Sequence, residues 1–151
     1  MLNEVKKLLP VDLAVCAAAV TDFKPTEKSK NKIKKESMKL NQINFVKNDD
    51  ILEYISKNNK HRPRLVAGFS AETENLIKNS ISKMKRKHCD LIIANNVSQK
   101  DIGFNSDYNK VSVIDKKGDV KTIPKNKKSF IANKIAEILL NKLLVNDKNI
   151  N

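Results

Sequence analysis

Apolar runs of strand length alternate with segments of helical spacing, and a hairpin pattern follows near the carboxyl end. Together these predict an α/β chain, a three-layer sandwich with a mostly parallel sheet and a C-terminal antiparallel hairpin. The runs are residues 11–19 (VDLAVCAAA), 65–70 (LVAGFS) and 90–95 (DLIIAN). Their near-continuous apolarity is the pattern of strands covered on both faces, which parallel sheets require. The sheet type is therefore Rossmann-like.

Each element follows from local signals. Residues 3–9 read as the tail of a helix ended by Pro10, because proline lacks the donor that a helix interior needs. The first strand, 11–19, opens into residues 20–36, a polar, lysine-rich stretch with Pro25 that predicts a mobile loop. Met38, Leu40, Ile43 and Phe45 alternate imperfectly, which predicts a strand over 38–46 broken near Asn41. Asn48 or Asp49 then caps a short helix over 50–58, with Ile51, Leu52 and Ile55 inward. Strand 65–70 leads to a helix over 71–88 that buries Leu76, Ile77, Ile81 and Met84. Strand 90–95 ends in a polar loop, 96–107, and residues 111–114 and 120–123 form a hairpin turning at Lys117 and Gly118. The last helix, 127–144, sets Phe130, Ile131, Ile135, Ile138, Leu139 and Leu143 on one side, and residues 146–151 are expected to fray. One domain, 1–145, accommodates all of this, since 151 residues suffice for a single core.

Composition narrows the function classes. No apolar run approaches the roughly 20 residues of a membrane span, and residues 1–10 lack the features of a secretory signal, so a cytoplasmic protein is expected. Cys16 and Cys89 each sit in an apolar run and read as free thiols. A net charge of +13 invites a nucleic-acid reading. Against it, arginine is scarce, only Phe and Tyr are available for stacking, and the lysines are spread from Lys6 to Lys148 instead of forming a stripe. His61 and His88 have no carboxylate or thiolate at ligand spacing, which argues against a protein-bound zinc site.

In an open, largely parallel sheet, ligands bind beyond the carboxyl ends of the strands. Those ends carry Asp22, then residues 69–73, then Asn95 onward. Lys32 from the basic loop and Lys83 and Lys87, four apart on one helix face, supply cations to the same region. Such an arrangement suits a charged, phosphorylated ligand.

The segments AAAVTDF (17–23), KIKK (32–35), FVKNDDI (45–51), GFSAET (68–73), DLIIANN (90–96) and GFNSD (103–107) together resemble the bacterial phosphopantothenate–cysteine ligase. That enzyme is the synthetase half of the bifunctional coenzyme A biosynthesis flavoprotein. The resemblance runs from about residue 11 to 144. It implies a two-step ligation. The carboxylate of 4'-phosphopantothenate attacks the α-phosphate of CTP, giving an acyl-cytidylate and pyrophosphate, and the amine of L-cysteine then displaces CMP. It also implies Mg²⁺ with the nucleotide, a homodimer for which residues 111–123 are a candidate interface, and no flavin on this chain.

Carried over by position, Asp22 resembles the family's CTP-binding aspartate, within the motif that contains Ala18, and Lys32 the catalytic lysine that turns over the acyl-cytidylate. Lys47, Asn48, Asp49 and Asp50 stand at the family's Lys-Asn-Pro-Asp nucleotide segment, with Asp49 in place of proline. Phe69 resembles the aromatic beside the nucleotide, and Lys83 and Lys87 the triphosphate lysines. Read without the resemblance, Asp22 is a turn-capping carboxylate, Phe69 a core residue, and the lysines a solvated face. Asn96 stands where many relatives carry Asp, and residues 103–107 read as shaping a loop of the fold. The family's glycine-rich opening and its Asn-x-Ser-Ser-Gly-Lys-type segment have no counterpart before Asp22. The competing functional class is a non-catalytic basic module that binds nucleotides or nucleic acid.

Overall fold

The architecture comes from a computed structural model that describes residues 1–27, 43–58, 60–98, 102 and 106–148. Residues 1–17 and 51–151 make one compact unit, and residues 18–50 a second. Among the described residues no helix is long and apolar enough to cross a membrane.

The larger unit is an α/β sandwich. Its elements in chain order are α1 (Leu2–Leu8), β1 (Leu13–Cys16), α2 (Ile51–Lys57), β4 (Leu65–Glu72), α3 (Leu76–Lys87), β5 (Leu91–Asn96), β6 (Tyr108–Asp115), β7 (Val120–Lys127) and α4 (Lys128–Lys148), with β2 and β3 in the other unit. The five-stranded sheet has the order β1-β4-β5-β6-β7. β1, β4 and β5 are parallel, whereas β6 and β7 join antiparallel, so the sheet is mixed. The class and the terminal hairpin are those expected.

Strand alternation divides the core. Leu65, Ala67, Leu91, Ile93, Val111 and Val113 point to one face and pack on Ile131, Ile135 and Leu139 of α4, one helical turn apart. Val66, Ile92, Ala94 and Ile114 point to the other and pack on Ile55 of α2 and Met84 of α3. With Val5 of α1 packed on the same side as α2 and α3, and α4 on the other, these helices and the sheet give the three layers. Gly68 has a steric role here, because a Cβ at that position would stand 2.6 Å from Leu52 Cδ2, so its absence lets α2 approach the middle of β4.

Five expectations change. β1 is a short edge strand with Val15 exposed, not a strand covered on both faces; among the described residues β4 is its one strand partner. The helix after β4 begins at Leu76 and not Ala71, because the strand continues to Glu72, pairs with β5 as far as Asn96, and turns through Asn75 at φ 48°. Phe130 is 43% exposed: it lies about 100° around the helix from Ile131 and so falls outside the stripe of Ile131, Ile135 and Leu139. The hairpin is longer than expected, with Gly118 at φ +89° and its N–H donating to the Asp115 carbonyl, a left-handed position that suits glycine. Backbone helix in α4 extends to Lys148.

The loops entering β4 and β5 are tied together by a polar network. Arg62 donates to the carbonyls of Ser56, Pro63 and His88 and to the Asp90 carboxylate at 2.8 Å. Asp90 also accepts from the Val66 N–H at 2.7 Å and from Lys116. Asp115 is handled in the same way. Burial alone would raise its pKa, but Lys142 and the N–H groups of Asp119 and Lys117 outweigh that and hold it below its ordinary value.

The smaller unit is an antiparallel ribbon of β2 (Phe23–Pro25) and β3 (Phe45–Lys47), with Phe23 opposite Lys47 and Pro25 opposite Phe45. The stretch read as a loop after residue 20 therefore contains a strand. The strand expected over 38–46 is replaced by Phe45–Lys47, with Met38, Leu40 and Asn41 outside the described residues. Cross-strand pairing fixes these three-residue strands where local pattern could not.

Candidate functional site at the carboxyl ends of β4 and β5

Beyond Gly68, β4 has no β1 residue beside it, since the pairing ends at Cys16–Gly68. The carbonyls of Val66 and Glu72 accept from Asp90 and Val97 on the β5 side. Alternation along the strand directs the Phe69 carbonyl the other way, past the end of β1. Lys83 of α3 donates its Nζ to that carbonyl at 2.9 Å. An ammonium group is thus stationed in the second half of β4, just past the end of β1, on a neutral acceptor. The Phe69 ring is half-buried against the core on the α4 face.

The polar residues around this edge are arranged in two ways. Glu72 is held in place, accepting from Ser70 Oγ at 2.6 Å and from Asn79 Nδ2 at 3.4 Å. Asn96 Oδ1 accepts from the N–H and Oγ of Ser98, closing a turn. Asn95, paired with Ala71 and Val111, differs: its Oδ1 is buried and finds no hydrogen-bond donor among the described residues. A buried acceptor without a partner is costly, and among the described residues Ser56 Oγ and Ser80 Oγ share that state with it.

Lys87, one turn beyond Lys83, faces a carboxylate instead. Its Nζ lies 3.3 Å from Glu53 Oε2, and the other oxygen of Glu53 is 2.6 Å from Lys57 Nζ. Lys57 first and Lys87 second hold the Glu53 pKa from its ordinary 4.5 down to about 2.

In the smaller unit, the Asn48 N–H donates to the Asp22 carbonyl at 2.8 Å, and Asn48 Nδ2 donates to the Thr21 carbonyl at 2.7 Å and to Thr21 Oγ1 at 3.2 Å. Asp22 and Asn48 are therefore neighbours across the base of the ribbon. Lys47 is exposed on β3, opposite Phe23. Ala18 and Asp49 are exposed and Asp50 is half-buried. The site residues thus fall into two sets, Asp22, Lys47 and Asn48 within one unit and Phe69, Lys83 and Lys87 within the other. Lys32 lies outside the described residues, as do Gly103, Phe104 and Asn105 of the GFNSD segment.

Sequence reasoning missed Glu53 and Asn95. Glu53 showed a local signal, the i,i+4 spacing to Lys57, but its reach to Lys87 is a contact between helices. Nothing in DLIIANN distinguished Asn95 from Asn96. Among the described residues no three His, Cys, Asp or Glu side chains gather as a metal site.

Comparison with known proteins identifies the family. Residues 1–143 match the model of the DNA/pantothenate metabolism flavoprotein C-terminal domain. A coenzyme A biosynthesis bifunctional protein CoaBC from Borreliella burgdorferi is 40% identical over 129 residues, 85% of this chain and 32% of that protein. The chain therefore spans about a third of that relative's length. The crystal structure of a CoaBC C-terminal domain superposes with a TM-score of 0.70 at 24% identity, covering 97% of this chain and 61% of that one. A Cab2 mutant in complex with phosphopantothenate-cysteine has the same fold, with a TM-score of 0.66 at 18% identity, covering 97% of this chain and 50% of that one. With a family model matching nearly its whole length, the chain belongs to the DNA/pantothenate metabolism flavoprotein C-terminal domain family.

Proposed function

We propose that the chain is the nucleotide-binding portion of a ligase that joins 4'-phosphopantothenate to L-cysteine using CTP. The observation that carries this reading is Lys83, an ammonium held on the Phe69 carbonyl in the second half of β4, past the end of β1 and toward the side where α/β sheets take their ligands. In this reading Lys83 and Lys87 offset the triphosphate charge and Phe69 lies beside the nucleotide; Ala18, Asp22, Lys47, Asn48, Asp49 and Asp50 are assigned as nucleotide-binding residues on the family resemblance alone. Family membership supports it, as does the fold shared with a Cab2 mutant in complex with phosphopantothenate-cysteine.

The chemistry assigned is acyl activation followed by amide formation. A carboxylate oxygen of 4'-phosphopantothenate bonds to the α-phosphorus of CTP as the α–β bridging bond breaks, releasing pyrophosphate. The cysteine amine then adds to the acyl carbon, and CMP leaves with the electron pair of the acyl–oxygen bond. Cations aimed at the phosphates stabilise the charge that grows in the first step. Lys32 is assigned to the turnover of the acyl-cytidylate. The described residues form no acidic cage for Mg²⁺, so in this reading the ion is carried by the nucleotide's phosphates, and no step relies on it. The protein is proposed to work as a homodimer, with the β6–β7 hairpin as the face offered to a second copy.

Isothermal calorimetry tests the reading. CTP with Mg²⁺ is expected to bind more tightly than AMP or an unrelated RNA, with affinity falling as salt rises. RNA binding with a steep salt slope and no heat from CTP would replace the ligase reading with that of a basic binding module.

A further inference from the structure

Lys83 and Lys87 lie on the same face of α3, yet their partners differ. Lys83 faces a neutral carbonyl, whereas Lys87 faces the Glu53 carboxylate across the α2–α3 packing, with its side chain only 13% exposed. One oxygen of Glu53 lies 3.3 Å from Lys87 Nζ and the other 2.6 Å from Lys57 Nζ, so the Lys57 contact is the shorter. A carboxylate shared between two lysines holds each less firmly than it would hold one. Leu52, next in the chain, packs on Gly68, which fixes the start of α2 against β4 and so fixes where Glu53 stands.

We propose that Glu53 is a positioning residue acting as an internal competitor for the phosphate site: it holds Lys87 while the site is empty and yields it to a triphosphate, with Lys57 setting how tightly. The inference rests on the nucleotide reading of Lys83 and Lys87. Glu53 thereby tunes selectivity for phosphate-chain length. Only a ligand with enough charge at the Lys87 position recovers the lost ion pair, so a nucleoside triphosphate displaces the carboxylate where a monophosphate does not. The exchange is one anion for another at an unchanged ammonium, and no proton moves, because Glu53 remains ionised at every pH well above 2.

The test is a set of calorimetric titrations on the full chain with CTP plus Mg²⁺, CMP, and inorganic tripolyphosphate. Glu53→Gln is expected to tighten CTP and tripolyphosphate several-fold and to leave CMP within twofold, with the same ratio at each pH from 6 to 9. Lys57→Met is expected to act in the opposite direction, weakening both triphosphates, and to lose most of that effect when combined with Glu53→Gln. A direct charge effect of Lys57 on the ligand would persist in the double variant and would overturn the proposal. Equal or weaker triphosphate binding by Glu53→Gln would overturn it too, as would a uniform change for CTP and CMP alongside a lower melting temperature, the mark of a purely structural pair. If wild type binds CTP and Glu53→Gln does not differ from it, this inference alone fails. If wild type binds neither CTP nor tripolyphosphate, the nucleotide reading fails and takes this inference with it.

Discussion

The two ends of the β4–β5 pair are built differently. At the amino ends, Arg62, Asp90 and Lys116 use their hydrogen-bonding capacity on one another and on the backbone, so that three loops are locked together. Toward the carboxyl ends, Lys83 rests on a single neutral carbonyl, Asn95 Oδ1 has no donor among the described residues, and Phe69 is only half-buried. Buried polar groups are normally paired because leaving water unpaired is costly. The Arg62–Asp90 cluster stabilises the fold, although Ser56 Oγ beside it is buried without a partner, and the Lys83 ammonium on its neutral carbonyl is where an anionic ligand has something to supply.

Substitution at the amino ends separates the two most strongly. Asp90→Ala strands Arg62 and leaves the Val66 N–H without its acceptor, and breaking such a half-buried network is expected to cost about 3 kcal/mol. Urea denaturation reads that loss, while CTP affinity measured below the transition remains within twofold. Lys83→Ala is the converse, expected to weaken CTP by about 1.5–3 kcal/mol with the urea midpoint unchanged. A Lys83→Ala chain that unfolds easily and binds CTP normally would reverse the assignment.

Smaller effects sharpen the contrast. Asn95→Ala removes an acceptor that has no partner, so its cost is expected to stay below about 1 kcal/mol, far less than at Asp90. Thiol labelling supplies the mildest test. Burial pushes the Cys89 thiol up to about 11, so at pH 8 it is expected to resist a disulfide reagent until the chain unfolds, whereas the half-buried Cys16 at the end of β1 reacts first. The neutral Cys89 thiol contributes its stability fully below its ordinary pKa of 9.0, and that contribution is lost as pH rises toward about 11.

Much of this fold was legible in the sequence because its parallel strands are short, nearly unbroken apolar blocks. LVAGFS and DLIIAN sit in the sheet where periodicity placed them, and Ile131, Ile135 and Leu139 mark the inner stripe of α4. What failed was decided by tertiary contact. The polar tail Ala71-Glu72 reads as a helix start, yet pairing with Asn95 and Asn96 keeps it in the strand. Phe23–Pro25 reads as loop until Phe45–Lys47, some twenty residues later, is available to pair with it. The site shows the same division. Lys83 and Phe69 were recognisable one at a time, but the hydrogen bond between them, the orphaned oxygen of Asn95 and the grip of Glu53 on Lys87 exist only after packing brings separate elements together.

The most direct test of ligand binding toward the carboxyl ends is a ¹⁵N–¹H correlation spectrum of the chain titrated with CTP and Mg²⁺. Amide shifts are expected to concentrate at residues 69–72 and 95–97 and at Lys83, with residues 62–66 and 88–90 unmoved. Shifts centred on Arg62, Val66 and Asp90, or scattered evenly over the exposed lysines with none at Phe69 or Asn95, would contradict it.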